Sequence, residues 1–175
     1  MTPEDLVEIE AIKQLKHAYA RLLDTKRWDV LAALFVPDAT ASYSGGQLSF
    51  TGRDAIIAFL RRVLASPKVL TVHNMGQPEI ELLSSDRARA TWALRDEVIM
   101  VESGTYVRGA SLYEDEYRKV DGSWRFAHTG YRRLFEEIGP RPADVSLTAS
   151  WFEDEGRSSI AAPTRSAGDQ HTPRA

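Results

Sequence analysis

The sequence predicts an α+β fold, and three observations carry that expectation. Apolar residues recur at helical spacing in the N-terminal third of the chain. From Lys68 onward the pattern turns to β, in long runs that never return to a helix–strand alternation. Asp121-Gly122 lies between the last two runs as a hairpin turn. Helices first and antiparallel strands afterwards argue against βαβ repeats. A chain of 175 residues has room for one such domain, expected over 1–139.

Thr2-Pro3-Glu4-Asp5 reads as a helix start, with Thr2 as the cap, Pro3 in the first turn and two acids at the positive end of the dipole. Leu6, Ile9, Ile12, Leu15, Tyr19 and Leu22 keep one face apolar to about Leu23. Asp24-Thr25-Lys26-Arg27 breaks that pattern, and a second short helix is expected from Trp28 to Phe35, stopping before Pro37. Asp38 to Tyr43 reads as a strand, Gly45-Gly46 as a turn, and Leu48 to Phe50 as a short return. Gly52 precedes a third helix over Asp54 to Leu64, whose apolar face is Ile56, Ile57, Leu60, Val63 and Leu64. Strands are expected at about 68–76, 79–84, 87–102, 105–120 and 123–135. Pro140 and Pro142 mark a change of composition, followed by an extension over 140–155 with a short helix carrying Trp151 and Phe152. Residues 156–175, rich in Ser, Ala, Gly, Pro and Thr, read as a flexible tail.

Composition narrows the function. The net charge is -3, and adjacent basic pairs such as Arg61-Arg62 and Arg132-Arg133 are too short to track a phosphate backbone. Neither a nucleic-acid nor a membrane partner is therefore expected. The absence of cysteine removes disulfides, thiolate nucleophiles and Cys-based zinc sites together, and it agrees with a cytoplasmic location. The opening residues show no basic region followed by an apolar stretch, so no secretory signal is expected. Val30 to Val36 is the longest apolar run and falls far short of a membrane span.

The chemistry-bearing residues are few. On the strand around residue 95, Trp92, Leu94, Val98 and Met100 share one face, and Asp96 shares it with them. A carboxyl group there is either in a structural hydrogen bond or ion pair, or lines a pocket. Tyr19 sits on the apolar face of the first helix, where core packing with a satisfied hydroxyl is the plainer reading. Asp24 stands just past that helix, at the end where the dipole disfavours it, so a partner or a capping role should hold it. Tyr43 shares a strand face with Ala39 and Ala41, which leaves space beside it. His73 lies on a strand face with Thr71 and Met75. It is either structural or, with a carboxylate in reach, a base of fixed tautomer. His128 and Arg132 lie on the face of the last strand defined by Trp124 and Phe126, from which either can reach the interior. No GxSxG, P-loop, GxGxxG or HExxH motif is present, and no metal is expected at the widely spaced histidines.

Several of these runs together resemble a known family. Tyr19-Ala20-Arg21-Leu22-Leu23-Asp24, Trp28-Asp29 and Leu34-Phe35-Val36-Pro37-Asp38-Ala39 resemble the opening of SnoaL-like proteins of the nuclear transport factor 2-like superfamily. Gly52-Arg53-Asp54-Ala55-Ile56 is similar to the start of that family's third helix, and Asp121-Gly122-Ser123-Trp124-Arg125-Phe126 to its last hairpin. The resemblance runs over about residues 5–135. It implies a curved, mostly antiparallel sheet closed by N-terminal helices into a cone with an interior pocket. Within the family it points to the dehydratase-like members: scytalone dehydratase, bile-acid 7α-dehydratase and hexachlorocyclohexane dehydrochlorinase. There a strand histidine paired with an aspartate after the first helix is the base, and His73 and Asp24 fall where that pair is expected. Tyr19, Tyr43 and Asp96 match pocket positions of the bile-acid enzyme. Such members use no cofactor and often form trimers.

The expectation is thus a cofactor-independent lyase acting on a hydrophobic polycyclic or aromatic small molecule, of the steroid or polyketide kind. The catalytic set is His73, Asp24, Tyr19, Tyr43 and Asp96, with Trp92, Met75, His128 and Arg132 binding substrate. A homo-oligomer is expected, a trimer before a dimer. Two other readings stand beside it. One is proton transfer without loss of mass, as in ketosteroid isomerases or polyketide cyclases. The other is a binding or assembly module without turnover, whose sign would be a filled cone or an Asp24 out of reach of His73.

Overall fold

A computed structural model of the chain describes residues 1–153 and 155–158. Residues 1–142 form one unit. Helix α1 (Pro3–Asp24) starts in a reciprocal capping box: Thr2 Oγ1 accepts from the Asp5 N–H at 3.3 Å, and the Thr2 N–H donates to Asp5 Oδ2 at 2.7 Å. After α2 (Trp28–Ala32) come β1 (Phe35–Tyr43), β2 (Leu48–Thr51) and α3 (Arg53–Leu64). Four long strands follow: β3 (Val69–Leu82), β4 (Arg87–Met100), β5 (Thr105–Val120) and β6 (Ser123–Pro140).

The strands form one six-stranded sheet in the order β2-β1-β6-β5-β4-β3. It is mixed, because β1 and β6 run parallel while the other pairings are antiparallel. The sheet does not close into a barrel. It curves, and bulges in β3 and β6 supply bends. Helix α1 packs on β3 and β6, and α3 on β1, so the helices complete the enclosure. The core between them holds Ile12, Tyr19, Leu23, Phe35, Ile56, Trp92, Tyr117 and Phe126. Burying a side chain of this size contributes roughly 1.5–3 kcal/mol.

Within this core lies a complete ion pair. Lys16 Nζ sits 2.7 Å from Asp115 Oδ2, and neither side chain is exposed. Asp115 also accepts from the Tyr117 hydroxyl at 2.9 Å and from Thr129 Oγ1 at 2.8 Å, while Trp92 Nε1 donates to the Tyr117 hydroxyl at 2.9 Å. Every oxygen of the carboxylate is used, which is the condition for tolerating a buried charge.

Four element boundaries differ from the sequence expectation. Helix α2 ends at Ala32, because Phe35 and Val36 are fully buried strand residues and the Phe126 N–H donates to the Leu34 carbonyl. Tertiary pairing with β6 overrides the local helical pattern there. The two strands expected over 68–84 are one strand with a bulge at Gln77, whose φ is +47°. Strand β6 continues to Pro140, still paired to β5. Residues 143–153 and 155–158 contain turns and no helix among the described residues, in line with the Asp, Ser and Gly there. The tail expected over 156–175 lies outside the described residues from 159 onward. Among the described residues, no helix is long and apolar enough to cross a membrane.

Candidate active site

The site begins where α1 ends. Asp24 is the last residue of the helix, at the negative end of its dipole, and donors from β3 hold it there. Thr71 Oγ1 donates to Asp24 Oδ1 at 2.8 Å, the His73 N–H to Oδ2 at 2.9 Å, and His73 Nδ1 lies 2.6 Å from Oδ1. Strand β3 is an edge of the sheet, so its outward N–H is free to do this. A second tie secures the turn. Lys26, held at a φ of +56°, donates to the carbonyls of Leu64 and Val69, joining the end of α3 to the start of β3. Burial pulls the Lys26 pKa down, with the nearby Asp24 charge acting the other way.

A carboxylate only accepts, so His73 Nδ1 carries the hydrogen of that 2.6 Å bond. Nε2 of the neutral ring is then the bare nitrogen, the one that takes up a proton. The ring is half-buried and lines a pocket of about 150 Å³. The walls are largely apolar, from Leu23, Leu60, Val63, Leu64, Leu94 and Val98, with Phe59 among them.

Two polar groups complete the pocket. The first is a set of tyrosines. The Tyr19 and Tyr43 hydroxyls are buried and have no partner of hydrogen-bonding geometry, although they lie close enough to each other and to Tyr113 to interact electrostatically. Burial pushes all three phenols well above the usual tyrosine pKa, and neighbouring charges add to this. They are neutral donors.

The second group is Asp96 with Arg133. Asp96 pairs across the strands with His73, so both side chains leave the sheet on one face. Arg133 Nη1 lies 2.5 Å from Asp96 Oδ1 and 3.2 Å from Ser111 Oγ, and Arg133 Nε lies 3.0 Å from Glu136 Oε2. Burial acts to lower the Arg133 pKa, and the hydrogen bond and charge of Asp96 more than offset it. The guanidinium fits because residue 109 is glycine: a Cβ there would stand 2.7 Å from Arg133 Nη1.

The structure therefore brings together five of the sequence-predicted residues. His73, Tyr19, Tyr43 and Asp96 line one pocket, and Asp24 binds His73 behind it. For Asp96 both alternatives hold: it lines the pocket, and its carboxylate is paired with Arg133. The pocket is not filled by side chains, and Asp24 reaches His73.

The four residues expected to bind substrate sit elsewhere. Trp92 is buried in the Lys16–Asp115 network, and Met75 is half-buried against the core. His128 and Arg132 are on the opposite face of the sheet. There His128 Nδ1 lies 2.7 Å from Thr40 Oγ1, and Arg132 pairs with Glu114 at 3.4 Å. The cause is a bulge at Ala127: Phe126 faces Tyr117 but His128 faces Glu116, so the two-residue alternation changes sides. Thr129, Tyr131 and Arg133 point inward instead. Sequence reasoning missed Arg133, Tyr131 and Tyr113. Tyr113 was within reach, because 109, 111, 113, 115 and 117 alternate as buried positions on β5.

Comparison with known proteins follows the same line. A family model for the SnoaL-like domain matches residues 4–130. "Probable cyclase FGR4" of Gibberella zeae is 24% identical over 144 residues, covering 75% of this chain and 95% of that protein. Scytalone dehydratase arp1 of Aspergillus fumigatus is 26% identical over 130 residues, covering 67% and 76%. Among solved structures, a scytalone dehydratase-like protein from Novosphingobium aromaticivorans superposes with a TM-score of 0.73 at 27% identity, over 90% of this chain and 99% of that one. The hexachlorocyclohexane dehydrochlorinase LinA-type3 of Novosphingobium barchaimii shares the fold, with a TM-score of 0.69 at 20% identity over 83% and 97%.

Proposed function

Because the chain belongs to the SnoaL-like domain family, whose relatives here include dehydratase- and cyclase-type proteins, we propose that it is a cofactor-independent lyase acting on a hydrophobic small molecule. The observation that carries this reading is the His73 ring on the pocket wall with Nδ1 bound to Asp24 at 2.6 Å. His73 Nε2 removes a proton from a ring carbon next to a carbonyl. The electron pair of that C–H bond becomes a C=C bond as the bond to a β-hydroxyl breaks. The departing hydroxide takes the proton from the imidazolium and leaves as water, so no oxidant or reductant is needed. Asp24 keeps Nε2 bare before the step and stabilises the imidazolium during it. Tyr19 and Tyr43 donate to the carbonyl oxygen as charge develops there, in a site of low dielectric where such donors count most.

The test is product mass. Incubation with cyclic β-hydroxyketones gives a product lighter by one water, and His73→Ala, if folded, loses at least about 100-fold in rate. A folded His73→Ala protein with full activity refutes the assignment. The same neutral tyrosines and base also support proton transfer without elimination, and the cyclase relative favours keeping that second reading. A product of unchanged mass selects it.

A further inference from the structure

The size and polarity of the pocket say more about its ligand than the reaction does. Its volume is about 150 Å³. An apolar cavity of roughly that volume holds one benzene ring, and pockets for drug-sized ligands run from about 300 Å³ upward. A fused steroid or polyketide skeleton is too large to be enclosed in it. Phe59 sets part of this limit: it stacks on Phe50 at 4.5 Å and on Tyr43 at 5.7 Å between centroids, so α3, β1 and β2 hold one another in place.

Charge narrows the ligand further. Among the described residues, Arg133 is the one arginine or lysine at the pocket wall, and it is matched by Asp96 and Glu136. The carboxylate of Asp24 stands behind His73. An anionic ligand would meet two carboxylates and no unmatched cation, a costly arrangement in a site removed from water. Opposed to this are two buried hydroxyls, those of Tyr19 and Tyr43, which lie near each other and near Tyr113 but have no partner of full hydrogen-bonding geometry. A buried donor left unpaired is expensive, and a ligand acceptor placed between them removes the cost. Burial keeps both phenols protonated, so they offer hydrogens and not charge.

We infer that the pocket takes a neutral molecule with a single six-membered ring and one oxygen acceptor, held ring-first against α3 with its oxygen at Tyr19 and Tyr43. This rests on the proposed site but not on the reaction assigned to it.

The experiment is equilibrium binding to the full chain, followed by ligand-observed NMR and titration calorimetry. Four probes are compared: cyclohexanone, methylcyclohexane, cyclohexanecarboxylate and the four-ring ketone androstenedione. Cyclohexanone binds about 5- to 10-fold more tightly than methylcyclohexane, cyclohexanecarboxylate does not bind, and androstenedione does not bind. The double variant Tyr19→Phe, Tyr43→Phe removes the preference for the ketone and keeps binding of the hydrocarbon. Because the tyrosine variants carry the polarity claim, the size claim has its own variant. Phe59→Ala, checked for folding by circular dichroism, gains binding of the two-ring ketone 1-tetralone, which the wild type excludes. Androstenedione binding at least as tightly as cyclohexanone, or a carboxylate preferred to a ketone, overturns the inference. Binding needs no turnover, so a protein that binds cyclohexanone but eliminates nothing refutes the lyase reading and leaves this one standing.

Discussion

Replacing Asp24 by Asn separates the charge and acceptor capacity of this side chain from its shape. Asp24 receives donors from Thr71 Oγ1, His73 N and His73 Nδ1 on two carboxylate oxygens. Asparagine offers one oxygen and one amide nitrogen. If its oxygen faces Thr71 and the ring, the NH₂ group meets the His73 backbone N–H, donor against donor. If it turns round, the NH₂ group meets His73 Nδ1, and the imidazole must accept there and carry its hydrogen on Nε2. Either way a charge-assisted bond worth roughly 1.5–3 kcal/mol is lost. Asp24 is 22% exposed, which holds the total to about 2–3 kcal/mol. At about 2–4 °C per kcal/mol for a chain of this length, Tm falls by about 4–12 °C. In the turned-round state the base is blocked, and the equivalent tautomer reversal in the serine-protease triad costs about 10⁴-fold. A loss of about 10²- to 10⁴-fold is expected here. The assay is nitrogen-15 NMR of the imidazole, which reads the tautomer without a substrate, alongside thermal melting. Wild type shows Nδ1–H and a bare Nε2, and the variant shows Nε2–H or a mixture. A wild-type ring protonated on Nε2, or a variant with unchanged tautomer and unchanged rate, refutes the reasoning.

Three further outcomes follow from the same geometry. Lys16→Met leaves the Asp115 carboxylate buried and unmatched, so it destabilises by about 3–5 kcal/mol; Lys16→Met with Asp115→Asn recovers most of that in a urea melt. In Gly109→Ala the new Cβ meets Arg133 Nη1 at 2.7 Å and the Phe135 carbonyl at 2.9 Å. Stability falls by about 1–3 kcal/mol as Arg133 leaves Asp96, and adding Asp96→Asn costs less in that background than in wild type. At alkaline pH four of the six tyrosines matter: Tyr19, Tyr43, Tyr113 and Tyr117 have pKa values raised by burial, so the folded state retains their protons where the unfolded chain loses them. Their contribution is complete below about pH 10 and is lost above it, at about 1.4 kcal/mol per pH unit for each. Lys16, whose pKa is lowered by burial, acts in the opposite direction only below the unfolded lysine value of about 10.4. Their absorbance change near 295 nm therefore arrives together with the loss of circular dichroism, and not before it.

The Asp24–His73 half of the site was legible in the sequence because it depends on element ends. Asp24 closes a helix whose apolar face is unbroken to Leu23, and His73 lies on a strand whose face is given by Thr71 and Met75. Asp96 stood out because a carboxylate on an apolar strand face needs a reason. The wall contributed by β6 was not legible. Alternation from Trp124 and Phe126 points to His128 and Arg132, and one extra residue at Ala127 reverses that choice in favour of Tyr131 and Arg133. No local signal in Phe126-Ala127-His128 marks the bulge; it exists because β6 pairs with β5 on one side and with β1 on the other. The Lys16–Asp115 pair was hidden for a related reason. Each residue looks like a surface charge alone, and they meet across 99 positions of sequence. The β1 boundary was misplaced because Leu34 and Phe35 continue the apolar run of the second helix but pair with β6.

The central claim is that His73, held by Asp24, takes a proton from carbon in this pocket. Solvent exchange measures that step without a leaving group: cyclohexanone in D₂O is followed by proton NMR for loss of the hydrogens next to the carbonyl. Wild-type protein accelerates that loss above the buffer rate, and His73→Gln, folded to the same extent, reduces the acceleration at least about 100-fold. Equal acceleration by wild type and His73→Gln, or none by wild type once cyclohexanone is shown to bind, contradicts the account.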